Sequence, residues 1–342
     1  LGTAIHENIQ LTQNTQLQHR GQEFWQKKPL PETNEFIAET EALRETKSDL
    51  FMGRIVSYMR WLFGGHPYVE RNPILVISEK FNAVVRNVRD RLQFVSFQRK
   101  TEDLPAAACY LFEKNASEAI AKRGIFTVSL CGGRAPKALF ELLKDASVDW
   151  SKVHIFWGDE RPRRPDVGQT NYETAYETFL QHIQIPPQNI HSVNLDATDQ
   201  EAEANRYASE IESMLGPSLR FDLMLLVAGA DGHTMSLFPG SEVFEKAKPN
   251  LVEVIKREDT GFGYTMTPVL LRHARKVLLL VAGDEKESVV RDLIMGKKGA
   301  PQFPVGLVNN LIPGVVTVLT DQGIGTLPED QPQQSGQESS AL

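Results

Sequence analysis

The chain has 342 residues, of which 41% are hydrophobic and 24% charged, values typical of a globular protein rather than of a disordered or fibrous one. The net charge of -7, from 37 basic and 44 acidic side chains, argues against a broad surface for nucleic acid or anionic lipid, so an anionic ligand needs a local positive site. Two cysteines, Cys109 and Cys131, cannot build a disulfide framework and favour a reducing, cytoplasmic location. The sequence has no apolar stretch near the roughly 18 residues of a membrane span. The first residue is Leu1 rather than methionine, so upstream sequence, including a removed targeting segment, stays open.

The N-terminal part of the chain differs in character from its middle. Residues 1–34 are rich in Gln, Asn, Thr and Glu, a composition that favours disorder. Residues 36–63 place large apolar side chains at helical spacing, which predicts an amphipathic helix. That helix has two interpretations: contact with a membrane surface, because Arg54 and Arg60 flank apolar residues, or packing against the following domain or a partner.

A second basic helix is predicted over residues 82–92, whose sequence is NAVVRNVRDRL. We therefore interpret residues 1–92 as an N-terminal extension that is disordered and then helical. Residues 93–326 are predicted to form an α/β domain, and the polar segment 327–342 is predicted to be a disordered tail.

Within the predicted domain, the apolar pattern alternates between strands and helices. Continuous apolar runs of strand length predict strands buried on both faces at 125–131, 153–157, 222–228, 277–282 and 315–319. Helical patterns separate them at 137–144, 171–182, 201–215 and 284–295. This alternation predicts an α/β fold with a mostly parallel sheet and helices on both faces, a doubly wound, Rossmann-like arrangement.

Polar loops follow four of these strands, at the sheet edge where open parallel sheets bind ligands. In the first loop, Gly132 and Gly133 lack a Cβ and Pro136 suits a helix start, so the backbone amides and Arg134 are candidates to bind phosphate. A tight turn without a ligand explains the same glycines. The loop also lacks the Gly, Lys and Ser or Thr spacing of a P-loop.

The other loops carry titratable side chains. Asp231 lies two residues before His233, which makes the imidazole a candidate general base that Asp231 orients, although an ordinary loop histidine fits the same sequence. Asp159 and Arg161 follow a buried strand and Lys286 follows another, where they either line a ligand site or face solvent. The sequence has no Cys and His spacing of a zinc site and no Ser in a G-x-S-x-G turn, so metal and serine-hydrolase mechanisms are not favoured.

Four segments taken together resemble the 6-phosphogluconolactonase family in order, spacing and motif: SLCGGRAPKALFELL, VHIFWGDERPRRPDVGQTNYETA, FDLMLLVAGADGHTMSLFPGS and RKVLLLVAGDEKESVVRDLI. The resemblance runs from about Gln93 to about Gln322. It implies hydrolysis of 6-phosphogluconolactone to 6-phosphogluconate in the oxidative pentose phosphate pathway, without a metal or organic cofactor. The residues that it implies are His233 as the general base with Asp231 beside it, Asp159 and Arg161 in the substrate site, Gly132 and Gly133 in the glycine-rich loop, and Lys286 at the phosphate.

The chain departs from the family pattern in three places. The usual S-G-G-S-T-P loop here has Cys131, Arg134 and Ala135 at its variable positions, which removes hydroxyl donors and adds a cation. The family commonly has a basic residue two positions before T-x-T-P, where this chain has Gly263, so phosphate binding would depend on Arg134, Lys256 or Arg257 as a substitute. Residues 1–92 are additional to the length of the usual single-domain lactonase. This extension is interpreted as a lineage-specific addition or as a sign of fusion to, or association with, a hexose-phosphate dehydrogenase.

Two other functions fit part of the pattern. The predicted architecture also resembles that of glucosamine-6-phosphate deaminases, which share a D-G-H motif. Those enzymes place an acidic residue for proton transfer where this chain has Phe238. A non-catalytic sugar-phosphate-binding protein would keep the fold and lose turnover. The altered glycine loop favours this alternative, whereas the presence of Asp159, Arg161, Asp231 and His233 favours the lactonase.

Overall fold

The computed structural model describes residues 73–323, apart from 82, 89–91, 98–101, 164–167, 247–248, 259, 298–301 and 313. The predictions for residues 1–34, 36–63 and 327–342 lie outside the described residues. None of the helices in the described ranges is long and apolar enough to cross a membrane.

A seven-stranded sheet forms the centre of the fold, in the order β1-β2-β10-β9-β6-β3-β4. Its strands are β1 (Val84–Val88), β2 (Leu92–Ser96), β3 (Phe126–Leu130), β4 (Val153–Trp157), β6 (Leu223–Val227), β9 (Val277–Val281) and β10 (Val316–Thr320). Only β1 runs antiparallel to its neighbour, and the other pairs are parallel. Every residue of β3 and of β9 is buried, as expected for parallel strands covered on both faces. The five strands predicted from apolar runs are confirmed within one or two residues at each end.

The helix predicted over residues 82–92 is wrong. Val84–Val88 is instead the edge strand β1, which pairs with β2 so that Val85 lies opposite the buried Val95. The β-branched valines of this segment suit a strand, and the ladder with β2 decides the outcome because the apolar spacing fits both periods. The central sheet therefore includes a strand that precedes residue 93, where the sequence places the start of the α/β domain.

The helices are α1 (Pro73–Phe81), α2 (Asp103–Arg123), α3 (Arg134–Leu143), α4 (Asn171–Thr178), α5 (Gln200–Leu215), α6 (Pro268–His273) and α7 (Glu287–Ile294). The four predicted helices are confirmed, with three changes at their ends. Helix α3 begins at Arg134, three residues before the predicted start at 137. The helix predicted at 171–182 stops at Thr178 and continues as a 3₁₀ turn, Leu180–His182, and α7 is preceded by the 3₁₀ turn Asp284–Lys286. Helices α1, α2 and α6 have no counterpart among the sequence predictions.

The strand order reverses at the boundary between β3 and β6. From β3 the chain moves outward to the edge strand β4, and from β6 it moves the opposite way to β9 and β10. Since parallel crossovers are right-handed, α2 and α3 lie on one face of the sheet and α5 and α7 on the other. The main hydrophobic cluster agrees, because it joins Tyr207 of α5 and Leu293 of α7 to Met224 of β6. Such a reversal leaves a crevice at the carboxyl ends of the two strands, where ligands bind in open α/β sheets.

A second, three-stranded antiparallel sheet lies beyond β4, in the order β5-β8-β7. Its strands are β5 (Asp159–Glu160), β7 (Val252–Arg257) and β8 (Gly261–Met266). Asp159 pairs with Thr265, and β8 therefore joins the end of the central sheet to β7. This small sheet brings residues distant in sequence to one wall of the crevice.

Candidate active site

A pocket of about 420 Å³ occupies the crevice at the β3/β6 boundary. Its walls are formed by the loop after β3, the segment after β4, the loop after β6 and the turn after β9, together with Asn171 of α4 and Arg257 of β7. All but one of the site residues predicted from the sequence line it: Gly132, Gly133, Arg134, Asp159, Arg161, His233 and Lys286. Asp231 is absent from the lining but bonds to the ring that lines it. The sheet topology thus brings the predicted residues to one site.

Asp231 and His233 form a hydrogen-bonded pair at this pocket. The imidazole Nδ1 lies 2.6 Å from Asp231 Oδ1, which also accepts the backbone N–H of His233 at 3.1 Å. Because a carboxylate only accepts, Nδ1 donates the proton of this bond, and Nε2 is the nitrogen left to act as a base. Burial raises the pKa of Asp231, but the backbone N–H and imidazole of His233 outweigh it and hold that pKa below its ordinary value. Asp231 therefore remains a carboxylate at neutral pH and fixes the tautomer suited to a base at Nε2.

Gly229 makes this pairing sterically feasible. Its N–H donates to the carbonyl of His233 at 2.8 Å, which closes the turn after β6. A Cβ at this position would lie 2.0 Å from His233 Nδ1 and 2.4 Å from Asp231 Oδ1. The side chains of Asp231 and His233 therefore fold back over a residue that has none. Thr234, which follows, anchors the turn through a 2.9 Å bond from its hydroxyl to the carbonyl of Val227.

The glycine loop after β3 leads into the start of α3. Gly133 precedes the helix with φ of 111°, a left-handed conformation that favours glycine, and no side chain caps the helix start. The first N–H groups of α3 have no partner within the helix, an arrangement that suits an anion. A Cβ at Gly132 would lie 1.9 Å from Asn171 Oδ1, so this glycine is required by a close neighbour rather than by its backbone.

Asn171, which was not predicted as a site residue, connects three parts of the pocket. Its side chain contacts Gly132, its Oδ1 accepts a bond from Arg161 Nη1, and its Nδ2 donates to the carbonyl of Asp159 at 2.8 Å. A capping box places it there, because Thr170 and Glu173 bond to each other's backbone N–H and start α4 at Asn171.

Glu160 lies between Asp159 and Arg161 in the sequence, in a charged trio expected at the rim of the crevice, but it is buried and supports the backbone. It is 3% exposed and accepts the backbone N–H groups of Arg161, Asn171 and Tyr172 at 2.8–2.9 Å. Burial raises its pKa to about 7, while those N–H groups and Arg161 act in the opposite direction. The carboxyl group ties the strand β5 to the start of α4 and so fixes the base of the Arg161 side chain.

The two cations predicted at the phosphate differ in their surroundings. Arg134 is 90% exposed and forms a 2.8 Å ion pair with Glu285, across the mouth of the pocket. Lys286 lines the pocket and has neither an ion pair nor a side-chain hydrogen bond with any residue that the structure describes. Lys286 is therefore the better placed of the two to meet an anion.

The remaining wall consists of Asp159, Phe238 and Arg257, and the buried Ser236 joins Asp159 to Arg257. The Ser236 hydroxyl donates to Asp159 Oδ2 at 2.7 Å and accepts from Arg257 Nη1 at 3.1 Å. The ring of Phe238 lies 4.7 Å from that of His233 and 5.0 Å from the guanidinium carbon of Arg257. An aromatic ring thus separates the imidazole from a cation in the same pocket.

Neither nucleophilic cysteine chemistry nor a metal cluster is apparent at the site. Burial raises the pKa of the Cys131 thiol well above its ordinary value, so the thiol stays protonated and is a poor nucleophile. Among the residues described, no group of three or more His, Cys, Asp and Glu side chains is arranged to hold a metal ion.

Comparisons with known proteins identify the family of this chain. A family profile described as glucosamine-6-phosphate isomerases/6-phosphogluconolactonase matches residues 99–316, and the chain belongs to this family. A 6-phosphogluconolactonase from Synechocystis sp. is 34% identical over 213 residues, which are 61% of this chain and 87% of the relative.

Solved structures give the same result for the fold. The 6-phosphogluconolactonase from Trypanosoma cruzi is similar with a TM-score of 0.57 at 25% identity, over 69% of this chain and 96% of its own. A monomeric glucosamine-6-phosphate deaminase reaches a TM-score of 0.55 at 20% identity, over 67% of this chain and 96% of its own, which shows a shared fold.

Proposed function

We propose that this chain hydrolyses 6-phosphogluconolactone to 6-phosphogluconate, the second step of the oxidative pentose phosphate pathway, with His233 as the general base. The observation that carries the proposal is the Asp231–His233 pair in the same pocket as the glycine loop and Lys286. Family membership and the names of the relatives support the same reaction.

The proposed chemistry needs a base, a place for negative charge and an anchor for the phosphate. His233 Nε2 takes a proton from water as the oxygen attacks C1 of the lactone, a role worth about 10² to 10⁴ in rate. The carbonyl oxygen becomes an oxyanion, which Arg161 or nearby backbone amides stabilise, each donor contributing about 10² to 10³. The tetrahedral intermediate then collapses, the ring C1–O bond breaks, and the leaving ring oxygen takes the proton from the imidazolium.

The glycine loop and Lys286 are proposed to hold the phosphate at the other end of the substrate. The open start of α3 offers backbone N–H groups, and Lys286 adds a positive charge. These donors replace the hydroxyls that this loop lacks, because a backbone amide does not depend on its side chain. Binding the distant phosphate aligns C1 with the water at His233. The role of Arg134 remains a prediction, since its described partner is Glu285.

The pocket does not favour the deaminase. That reaction needs a carboxylate for ring opening at the position of Phe238, and this ring packs instead against His233. The two carboxylates that line the pocket are both engaged: Asp159 accepts from Ser236, and Glu285 pairs with Arg134.

The test presents freshly prepared 6-phosphogluconolactone and glucosamine 6-phosphate separately to the purified chain, and measures release of acid and of ammonia. We expect acid from the lactone and no ammonia from the amino sugar. His233→Gln is expected to lower the enzymatic rate by about 10² to 10⁴, whereas His182→Gln, a matched change at an exposed histidine, leaves it unchanged. Ammonia release would replace the lactonase by the deaminase, and tight binding of 6-phosphogluconate without turnover would identify a non-catalytic sugar-phosphate-binding protein.

Two finer predictions also remain proposals. A cytoplasmic location is supported by the two free thiols, Cys109 and Cys131. Association with a hexose-phosphate dehydrogenase would join consecutive steps of the pathway, and co-purification with a tagged chain tests it.

A further inference from the structure

The family pattern has a basic residue where this chain has Gly263, and the sequence offers three candidates to replace it: Arg134, Lys256 and Arg257. The three side chains lie in different places in the structure. Arg134 lies at the exposed mouth and pairs with Glu285, and Lys256 is exposed and does not line the pocket. Arg257 is half-buried and lines the pocket.

Gly263 provides the space through which the Arg257 side chain enters. Strands β7 and β8 pair antiparallel, with Arg257 opposite Gly261 and Ile255 opposite Gly263. The Arg257 side chain passes diagonally over Gly263, where an added Cβ would lie 2.9 Å from Arg257 Cδ and 3.0 Å from the carbonyl of Glu160. A side chain at position 263 would therefore compete with Arg257 for the same volume. The glycine and the arginine act as a matched pair on adjacent strands.

Arg161 approaches the same glycine from the other side. A Cβ at Gly263 would lie 3.6 Å from Arg161 Cβ. Both arginine side chains therefore pass beside Gly263, and both line the pocket. Arg161 is directed toward Glu160 and Asn171, whereas Arg257 is directed toward Ser236 and Phe238. The two guanidinium groups thus occupy separate parts of the wall.

The surroundings of Arg257 suit a contact with substrate. Its guanidinium stacks at 5.0 Å from Phe238, and the same ring lies 4.7 Å from the imidazole of His233. The guanidinium and the imidazole therefore both contact one aromatic ring in the same pocket. The face of Phe238 holds the planar guanidinium group in one orientation, which reduces the entropy lost when the group binds a phosphate.

We propose that Arg257, reaching from β7 across Gly263, is a substrate-anchoring residue that binds the phosphate group of the lactone. The inference rests on the proposed function and adds a residue on the strand next to position 263 to the glycine loop and Lys286 as contacts of the phosphate. It makes Arg257 a determinant of preference for phosphorylated over unphosphorylated lactones. Charge-assisted hydrogen bonds of this kind are stronger than neutral ones, so their loss is expected to weaken binding about ten- to a hundred-fold.

The test compares Arg257→Met with Lys256→Met. Methionine keeps an unbranched apolar stem against Phe238 and removes the charge, and Lys256→Met removes one charge from the next, exposed position. Each variant is assayed on 6-phosphogluconolactone and on unphosphorylated gluconolactone. We expect Arg257→Met to raise KM for the phosphorylated substrate about ten-fold or more, with little change in kcat/KM for the unphosphorylated one, and Lys256→Met to match the unmodified chain.

Other outcomes overturn the inference. If Arg257→Met lowers turnover of both lactones equally without raising KM, the residue only positions Phe238 and His233. If it behaves like Lys256→Met, it has no role in binding. If the unmodified chain releases no acid from the lactone, the proposed function fails. The role of Arg257 is then tested separately by calorimetric titration with 6-phosphogluconate. Binding at least ten-fold weaker in Arg257→Met supports the phosphate contact, and equal binding refutes it.

Discussion

Adding a single methyl group at Gly229 should disable the proposed base without unfolding the protein. In Gly229→Ala the new Cβ would lie 2.0 Å from His233 Nδ1 and 2.4 Å from Asp231 Oδ1, whereas ordinary contact begins at 3.4 Å. The imidazole must therefore move by more than about 1 Å to relieve the overlap. A shift of that size breaks the 2.6 Å hydrogen bond to Asp231 and turns Nε2 away from its water.

The magnitude follows from this displacement. A misplacement of about 1 Å in a reacting group costs about 10² in rate, so kcat for the lactone should fall by that factor or more. Stability should change much less, because the His233 side chain is 33% exposed and can move outward into the pocket. The variant should thus keep its fold and lose most of the activity that His233→Gln loses.

The assay measures initial acid release from fresh lactone, with the spontaneous hydrolysis subtracted, together with the melting temperature. Gly323→Ala is the matched control, since a Cβ there meets no atom within 4 Å. Nitrogen NMR of the histidine rings reports whether the Nδ1 proton still bonds to Asp231. If Gly229→Ala stays within three-fold of the unmodified chain while His233→Gln loses about 10², the Asp231–His233 geometry does not matter and the reasoning is refuted.

Asn171→Ala should lower kcat/KM about ten- to a hundred-fold, because Arg161 loses the acceptor that directs its guanidinium; steady-state kinetics checks this, and unchanged kinetics would contradict it. The stability of the unmodified chain should depend on pH through Glu160, and Glu160→Gln should remove that dependence. Burial raises the folded pKa of Glu160 from 4.5 to about 7, so its neutral form favours folding below pH 4.5 and that contribution is lost as the pH rises to about 7. The free energy of unfolding of the unmodified chain should fall relative to Glu160→Gln by up to about 3 kcal/mol across that window, and denaturant titrations showing no trend would contradict it.

The sequence predicts those parts of the fold whose signal is local. Strands such as Phe126–Leu130 and Val277–Val281 are buried on both faces, so their apolar runs are uninterrupted and easily recognised. The edge strand Val84–Val88 gives no such signal, because its valines and arginine fit a helix and a strand equally well. Pairing with Leu92–Ser96 decides its structure, and that pairing is a tertiary contact.

The candidate site divides in the same way. The spacing of Asp231 and His233 is enough to predict their pairing, because two residues in one turn can meet whatever the rest of the chain does. Asn171 could have been located from its capping box, but its contact with Gly132 joins loops after different strands. The inward course of Arg257 depends on the register of β7 with β8, which the sequence pattern does not specify.

The two ends of the pocket should differ in how well they tolerate substitution. The proposed base is built within one turn, where Asp231 and His233 bond at 2.6 Å over Gly229, which has no room for a Cβ, so any one substitution disturbs the others. The proposed anion-binding end draws on backbone N–H groups at the start of α3 and on side chains from separate strands and turns, which do not depend on one another. If Arg257 anchors the phosphate as proposed, a cation on β7 can serve in place of one at position 263 while the geometry at His233 stays unchanged.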